Sequence, residues 1–138
     1  MRKRWRPVLG LVLCLAVLAA ARLLPPHPTG LGTHTALGLP PCGLVFFFGL
    51  PCPTCGMTTA YALATRGRLT EAAQVQPLGL LLCLATPLAA ALCARAAWLG
   101  AWPRALQAVL GDRRTWSLLG LLALAAWAYK IAAYRTWL

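Results

Sequence analysis

The apolar positions of this chain fall into three long blocks, and the stretches between them are rich in proline, glycine and arginine. The first block, Val8 to Ala21, follows Pro7. It extends to Leu24 if Arg22 snorkels to an interface, which gives about the minimum length for a membrane span. A second block, Leu78 to Trp98, is uncharged until Arg95, and Pro77 suits its first turn while Pro87 predicts a kink inside it. The third runs from Thr115 to Tyr134. Trp116 and Trp137 stand about 32 Å apart on a helix rising 1.5 Å per residue, the spacing of two interfacial aromatic belts. A cleaved leader is the competing reading of the first block, because basic residues precede it and Ala19-Ala20-Ala21 offers a small-residue site.

Between the first two blocks the pattern changes. Residues 25–42 carry Pro25, Pro26, Pro28, Pro40, Pro41, Gly30, Gly32 and Gly38, which exclude a regular helix. Leu44 to Phe48 is strongly apolar, but Gly49, Pro51 and Pro53 break any continuous helix over 43–65. After the break, Cys52 or Thr54 is placed to cap a helix running to about Arg66, with Gly67 placed to end it. On that helix Met57, Ala60, Tyr61 and Ala64 form one apolar stripe. Thr70 to Gln76 is a second short segment, and residues 99–114 read as a loop bearing Arg104, Arg113 and Arg114.

Composition sharpens the class. The 138 residues are 60% hydrophobic and 11% charged, too few charges for a water-facing surface. The formal net charge of +11 does not indicate nucleic acid, because the basic residues sit at the ends of apolar runs, where they set topology and meet lipid headgroups. The positive-inside rule does not decide how many times the chain crosses. With three spans, residues 2, 3, 4, 6, 104, 113 and 114 lie inside and 22, 66, 68 and 135 outside; a fourth span over 43–65 exchanges members and leaves the same two totals. Two prolines and two glycines in mid-segment are poor material for a crossing, so three spans are preferred. The expected fold is all-α: a single polytopic membrane domain over 1–138, with spans near 8–24, 78–98 and 115–134. Residues 25–42 form an outward loop, and a short re-entrant or interfacial helix over 52–66 starts at the CxxC.

The chemically specific feature is Cys52-Pro53-Thr54-Cys55-Gly56. A thiol pair at this spacing holds a metal or cycles as a disulfide, and the positive end of a following helix favours the thiolate that both require. No βαβ pattern accompanies it, so a thioredoxin fold is excluded. A closed zinc site needs two more ligands, and Cys42 and His34 are the nearest candidates, giving His-x7-Cys-x9-Cys-x2-Cys. Cys14, Cys83 and Cys93 lie within apolar blocks and read as packing. His27, flanked by prolines, reads as uninvolved. Arg95 and Lys130, near span ends, read as snorkelling, although intramembrane charge is often functional.

Gly-Leu-Pro-Cys-Pro-Thr-Cys-Gly-Met-Thr-Thr-Ala (49–60), followed by Gly67, Glu71-Ala72-Ala73 and Gln76-Pro77-Leu78-Gly79, resembles the bacterial membrane-protein family DUF2752. Upstream, Gly32-Thr33-His34 and Leu37 to Cys42 resemble an extension found in one branch of that family. Many members have arginine where Thr59 stands, so no role of that arginine transfers. The resemblance covers about 30–98 and implies membrane location and a cysteine-bearing core, with no activity attached.

Two functions remain open. The first is non-enzymatic: a bacterial inner-membrane module in which Cys52, Cys55, Cys42 and His34 hold zinc, or disulfides hold the loop, in the service of a protein partner. The alternative is a membrane thiol–disulfide oxidoreductase using Cys52 and Cys55.

Overall fold

In the computed structural model, residues 5–26, 38, 40, 43–49 and 51–136 are described. Among them the secondary structure is helical throughout: α1 (Trp5–Leu23), α2 (Gly43–Phe48), α3 (Met57–Ala64), α4 (Leu69–Val75), α5 (Pro77–Leu99), α6 (Arg104–Gly111) and α7 (Arg113–Thr136). Three of these, α1, α5 and α7 over Arg113–Ala133, are long and apolar enough to cross a membrane. The fold is that of a polytopic all-α membrane protein.

Side-chain size is sorted as a bilayer demands. Apart from Leu63, the buried apolar positions are small, among them Ala60, Ala62, Ala72, Cys83, Ala90, Cys93, Ala96 and Ala126. Large apolar side chains such as Leu13, Leu15, Leu84, Leu88, Leu121 and Leu124 point outward. Lipid tails solvate leucine as well as a protein core does, so small residues go to the helix contacts, where they let backbones approach. Cys83 and Cys93 are buried among these contacts, as packing residues. A Cβ built on Gly10 of α1 would stand 3.0 Å from the Cys93 sulfur on α5.

The same contacts decide how 43–76 relates to the spans. At about 1.5 Å per residue, α2 and α3 are far shorter than the roughly 30 Å hydrocarbon core. Arg66, just past α3, donates to the carbonyls of Ala21 and Arg22 at the C-terminal end of α1. At the N-terminal end of α5, Gly79 lies against Ala60 and Met57 of α3. The chain therefore leaves α1 and enters α5 at the same end of the bundle. The short helices sit on that end, and the charge tie in the sequence is resolved in favour of three spans.

Local stops follow the sequence in part. Gly67, at φ 80°, ends the α3 turn, and its amide and that of Arg68 bond back to Ala64 and Leu63. α4 opens with an exposed Arg68–Glu71 ion pair, and the hydrogen bond from Arg68 holds the Glu71 carboxyl below its usual range. Any stability from that pair is complete above the ordinary carboxylate range and is lost as pH falls through the lowered Glu71 value. α5 runs through Pro87 as one helix. α7 begins at Arg113, because the Asp112 carboxylate accepts the Arg114 amide at 3.1 Å.

One expectation is corrected. Residues 99–114 are not simply a loop, for α6 lies within them. Leu106, Val109 and Leu110 fall on one face and Arg104, Gln107 and Gly111 on the other, which is the pattern of a short interfacial helix.

The tightest helix contact gives a direct test. A Cβ on Gly79 would lie 2.9 Å from the Ala60 Cβ and 3.4 Å from the Met57 Cα. Gly79→Leu is expected to lower stability by about 1–3 kcal/mol through overpacking, read as a lower melting temperature in detergent. Gly120→Ala on α7, where an added Cβ meets nothing within 4 Å, is expected to cause no loss.

Candidate functional site: the CxxC turn

Pro51 and Pro53 remove two amide donors, and Gly56 takes φ 79°. The segment therefore winds as consecutive tight turns, with Cys55 N–H donating to Cys52 O at 3.0 Å and Met57 N–H to Thr54 O at 3.1 Å. The helix begins only at Met57. Its N-cap is Gly56, whose carbonyl accepts the Ala60 amide at 2.8 Å, and no side chain caps it. The cap expected from Cys52 or Thr54 is not made. The Thr54 hydroxyl lies instead 3.3 Å from the Cys52 sulfur. Both cysteines still precede the positive end of α3. They differ in access: Cys52 is half-buried and Cys55 is buried.

Three side chains from elsewhere hold this turn and the chain break beyond it. Gln76, fully buried between α4 and α5, donates from Nε2 to the Pro53 carbonyl at 2.8 Å, while its Oε1 is buried without a partner. Trp127 of α7 donates from Nε1 to the Pro51 carbonyl at 3.0 Å. Lys130, one turn further on, donates from Nζ to the Val75 carbonyl at 2.5 Å, the last carbonyl of α4. Only 6% of Lys130 is exposed, and it lies within electrostatic range of both Cys55 and Cys52. Snorkelling was the expectation for Lys130 and is overturned: an unsatisfied helix-end carbonyl beside two sulfurs draws the ammonium inward. Arg95, by contrast, is exposed.

Of the residues expected to form a site, the structure brings together Cys52 and Cys55. His34, Cys42 and His27 lie outside the described residues, so the four-ligand zinc arrangement rests on positions the structure does not describe. Among the described residues no group of three or more His, Cys, Asp or Glu side chains converges. The Thr54 hydroxyl lies by Cys52, and Lys130 is within electrostatic range of both sulfurs.

Sequence reasoning missed Trp127 and gave Gln76 no role beyond its place in the Gln-Pro step. A glutamine directly before a helix-starting proline was the available signal for Gln76. Nothing local marked Trp127. Thr59, where many family members have arginine, is fully buried in α3.

Three apolar helices, with short helices and a cysteine turn packed at one end, define a multi-pass membrane protein with a structured cap. Residues 42–93 match the family model described as Protein of unknown function (DUF2752), the family that the CxxC motif resembles. The matched region takes in α2 to α4, the turn and most of α5. Residues 30–41, part of the resemblance in sequence, lie outside it, as do Trp127 and Lys130. No curated protein and no solved structure matches the chain.

Gln76→Leu removes both the bond to Pro53 and the orphaned Oε1. Global melting is expected to change little, because the two effects oppose. The turn itself is expected to loosen by about 0.5–1.5 kcal/mol, read as a several-fold faster alkylation of Cys55 in folded protein. An unchanged Cys55 rate would mean that Gln76 does not restrain the turn.

Proposed function

We propose that this chain is a bacterial inner-membrane thiol–disulfide module, with Cys52 and Cys55 as an exchange pair at the outward end of three spans. The observation that carries this reading is Lys130: a nearly buried ammonium, contributed by the third span, bonded to the Val75 carbonyl and within electrostatic range of both sulfurs. Charge inside a membrane bundle is costly, and here it stands where sulfur chemistry needs a counter-charge. The unequal access of the two cysteines supports assigned roles. Half-buried Cys52 attacks a disulfide of a partner protein as thiolate, forming a mixed disulfide and releasing one partner thiol. Buried Cys55 then attacks Cys52 and releases the second partner thiol. The pair ends oxidised and the partner reduced by the same two electrons, with the two protons going to the partner's sulfurs. The reverse sequence oxidises a partner dithiol.

The Thr54 hydroxyl and the Cys52 sulfur share a hydrogen bond of 3.3 Å, and the Lys130 ammonium attracts the thiolate that each exchange step forms. Lys130 also caps α4, so its removal tests position as well as charge.

The deciding experiment is trapping in cells. Cys55→Ala is expected to accumulate a mixed disulfide through Cys52, visible as a reducible higher-mass band and absent from the Cys52→Ala/Cys55→Ala double variant. Lys130→Met is expected to slow its formation by roughly tenfold or more, and Lys130→Arg to keep most of the rate. Stoichiometric zinc in purified wild-type protein, lost on Cys52→Ser and accompanied by no trapped species, would replace this reading with the structural metal module.

A further inference from the structure

The two ends of the bundle treat their cations differently. At the CxxC end, Arg66 is committed to the carbonyls of Ala21, Arg22 and Ala62, Arg68 is paired with Glu71, and Lys130 is buried on Val75, which leaves Arg22 as the exposed cation among these four. At the opposite end, where α5 finishes and α7 begins, Arg104, Arg113 and Arg114 are exposed. Among the described residues none of these three has a carboxylate partner. Asp112, the acidic residue beside them, gives its side chain to the Arg114 backbone amide.

α6 lies between those arginines. Successive residues turn about 100°, so Leu106, Val109 and Leu110 share one face, opposite Arg104 and Gln107. Val109 and Leu110 are 53% and 49% exposed, and Leu106 beside them is half-buried. The Trp116 indole donates to the Leu110 carbonyl at 2.8 Å and ties α6 to the first turn of α7. Trp98, Trp102 and Trp116 are exposed around it. Because α6 connects the ends of two spanning helices, from Leu99 to Arg113, it sits at the depth where headgroups meet acyl chains.

We propose that α6 and the arginines flanking it form a binding surface for anionic phospholipid. The Leu106–Val109–Leu110 face beds at the acyl boundary, and Arg104, Arg113 and Arg114 hold phosphodiester headgroups. The free charge is positive, the uncovered face is apolar, and tryptophans ring the junction. A soluble acidic partner would complement the charge and leave the apolar face wet, whereas an anionic bilayer surface complements both. This inference stands apart from the thiol chemistry and locates a lipid-dependent anchor at the other end of the molecule.

The test uses the full chain in bilayers of phosphatidylcholine and phosphatidylglycerol, followed by quantification of the lipid retained through detergent extraction. Wild type is expected to retain phosphatidylglycerol in preference to phosphatidylcholine. The combined variant Arg104→Gln, Arg113→Gln, Arg114→Gln is expected to lose about tenfold or more of that preference. The corresponding triple lysine variant is expected to keep the preference, as is Arg22→Gln at the other end. Salt near 1 M, where screening acts within about 3 Å, is expected to abolish the preference in wild type, a readout that needs no variant to fold. Equal retention of the two lipids by wild type would overturn the proposal, as would a preference insensitive to salt or lowered equally by Arg22→Gln.

Discussion

A carbonyl freed by a chain break near a bilayer must find a donor in the protein, because lipid supplies none. The CxxC end of this molecule is organised around that constraint. Among the described residues, carbonyls at several helix breaks are met by long polar side chains from other elements. Arg66 serves the end of α1, Gln76 serves Pro53, Trp127 serves Pro51, and Lys130 serves the end of α4. These bonds tie α7 to the turn more specifically than apolar packing does, since the outward faces of the spans are leucines that lipid solvates equally well. The irregular segment is thus a cross-linked cap, built from the chain's few polar residues.

That arrangement has a chemical consequence. Prolines at 51 and 53 and the left-handed glycine at 56 make the turn, and the turn sets one sulfur half open and the other inside. The donors that satisfy its carbonyls bring a cation with them. Had Gln76 or Trp127 alone closed the cap, the sulfurs would sit in a neutral setting. With Lys130 serving Val75, an ammonium is held within electrostatic range of both. One residue thereby fulfils a structural requirement of the membrane environment and alters the electrostatics of the thiol pair.

Much of the fold was legible in the sequence, because bilayer thickness imposes run lengths that composition alone reveals. The three spans, the broken segment before Gly67 and the cysteine turn all follow from apolar runs and helix breakers. α6 was hidden by its length: eight residues after Gly100, Trp102 and Pro103, with three arginines nearby, look like a loop unless Leu106, Val109 and Leu110 are tested for helical spacing. The direction of Lys130 was not legible for a different reason. A lysine one turn from a span end reaches either the interface or the bundle interior, and only the position of the Val75 carbonyl, 55 residues away, decides between them. Gln76 presents the same problem, since a Gln-Pro step marks a helix start without showing that the amide is enclosed.

The contrast between the two ends carries one further physical point. At the CxxC end Arg66, Arg68 and Lys130 are taken up by backbone carbonyls and by Glu71 while Arg22 stays exposed, so the formal charge count there overstates what an approaching anion would meet. Among the described residues, Arg104, Arg113 and Arg114 at the α6 end have no carboxylate partner. A topology rule that counts arginines weighs the two ends by number, whereas a membrane responds to charge that remains available. The sequence tie between three and four spans arises because Arg66, Arg68 and Arg135 are counted as equivalent to Arg104, Arg113 and Arg114. Once the hydrogen bonds of Arg66 and Arg68 are taken into account, more of the available positive charge lies with α6 than with the short helices of the CxxC end.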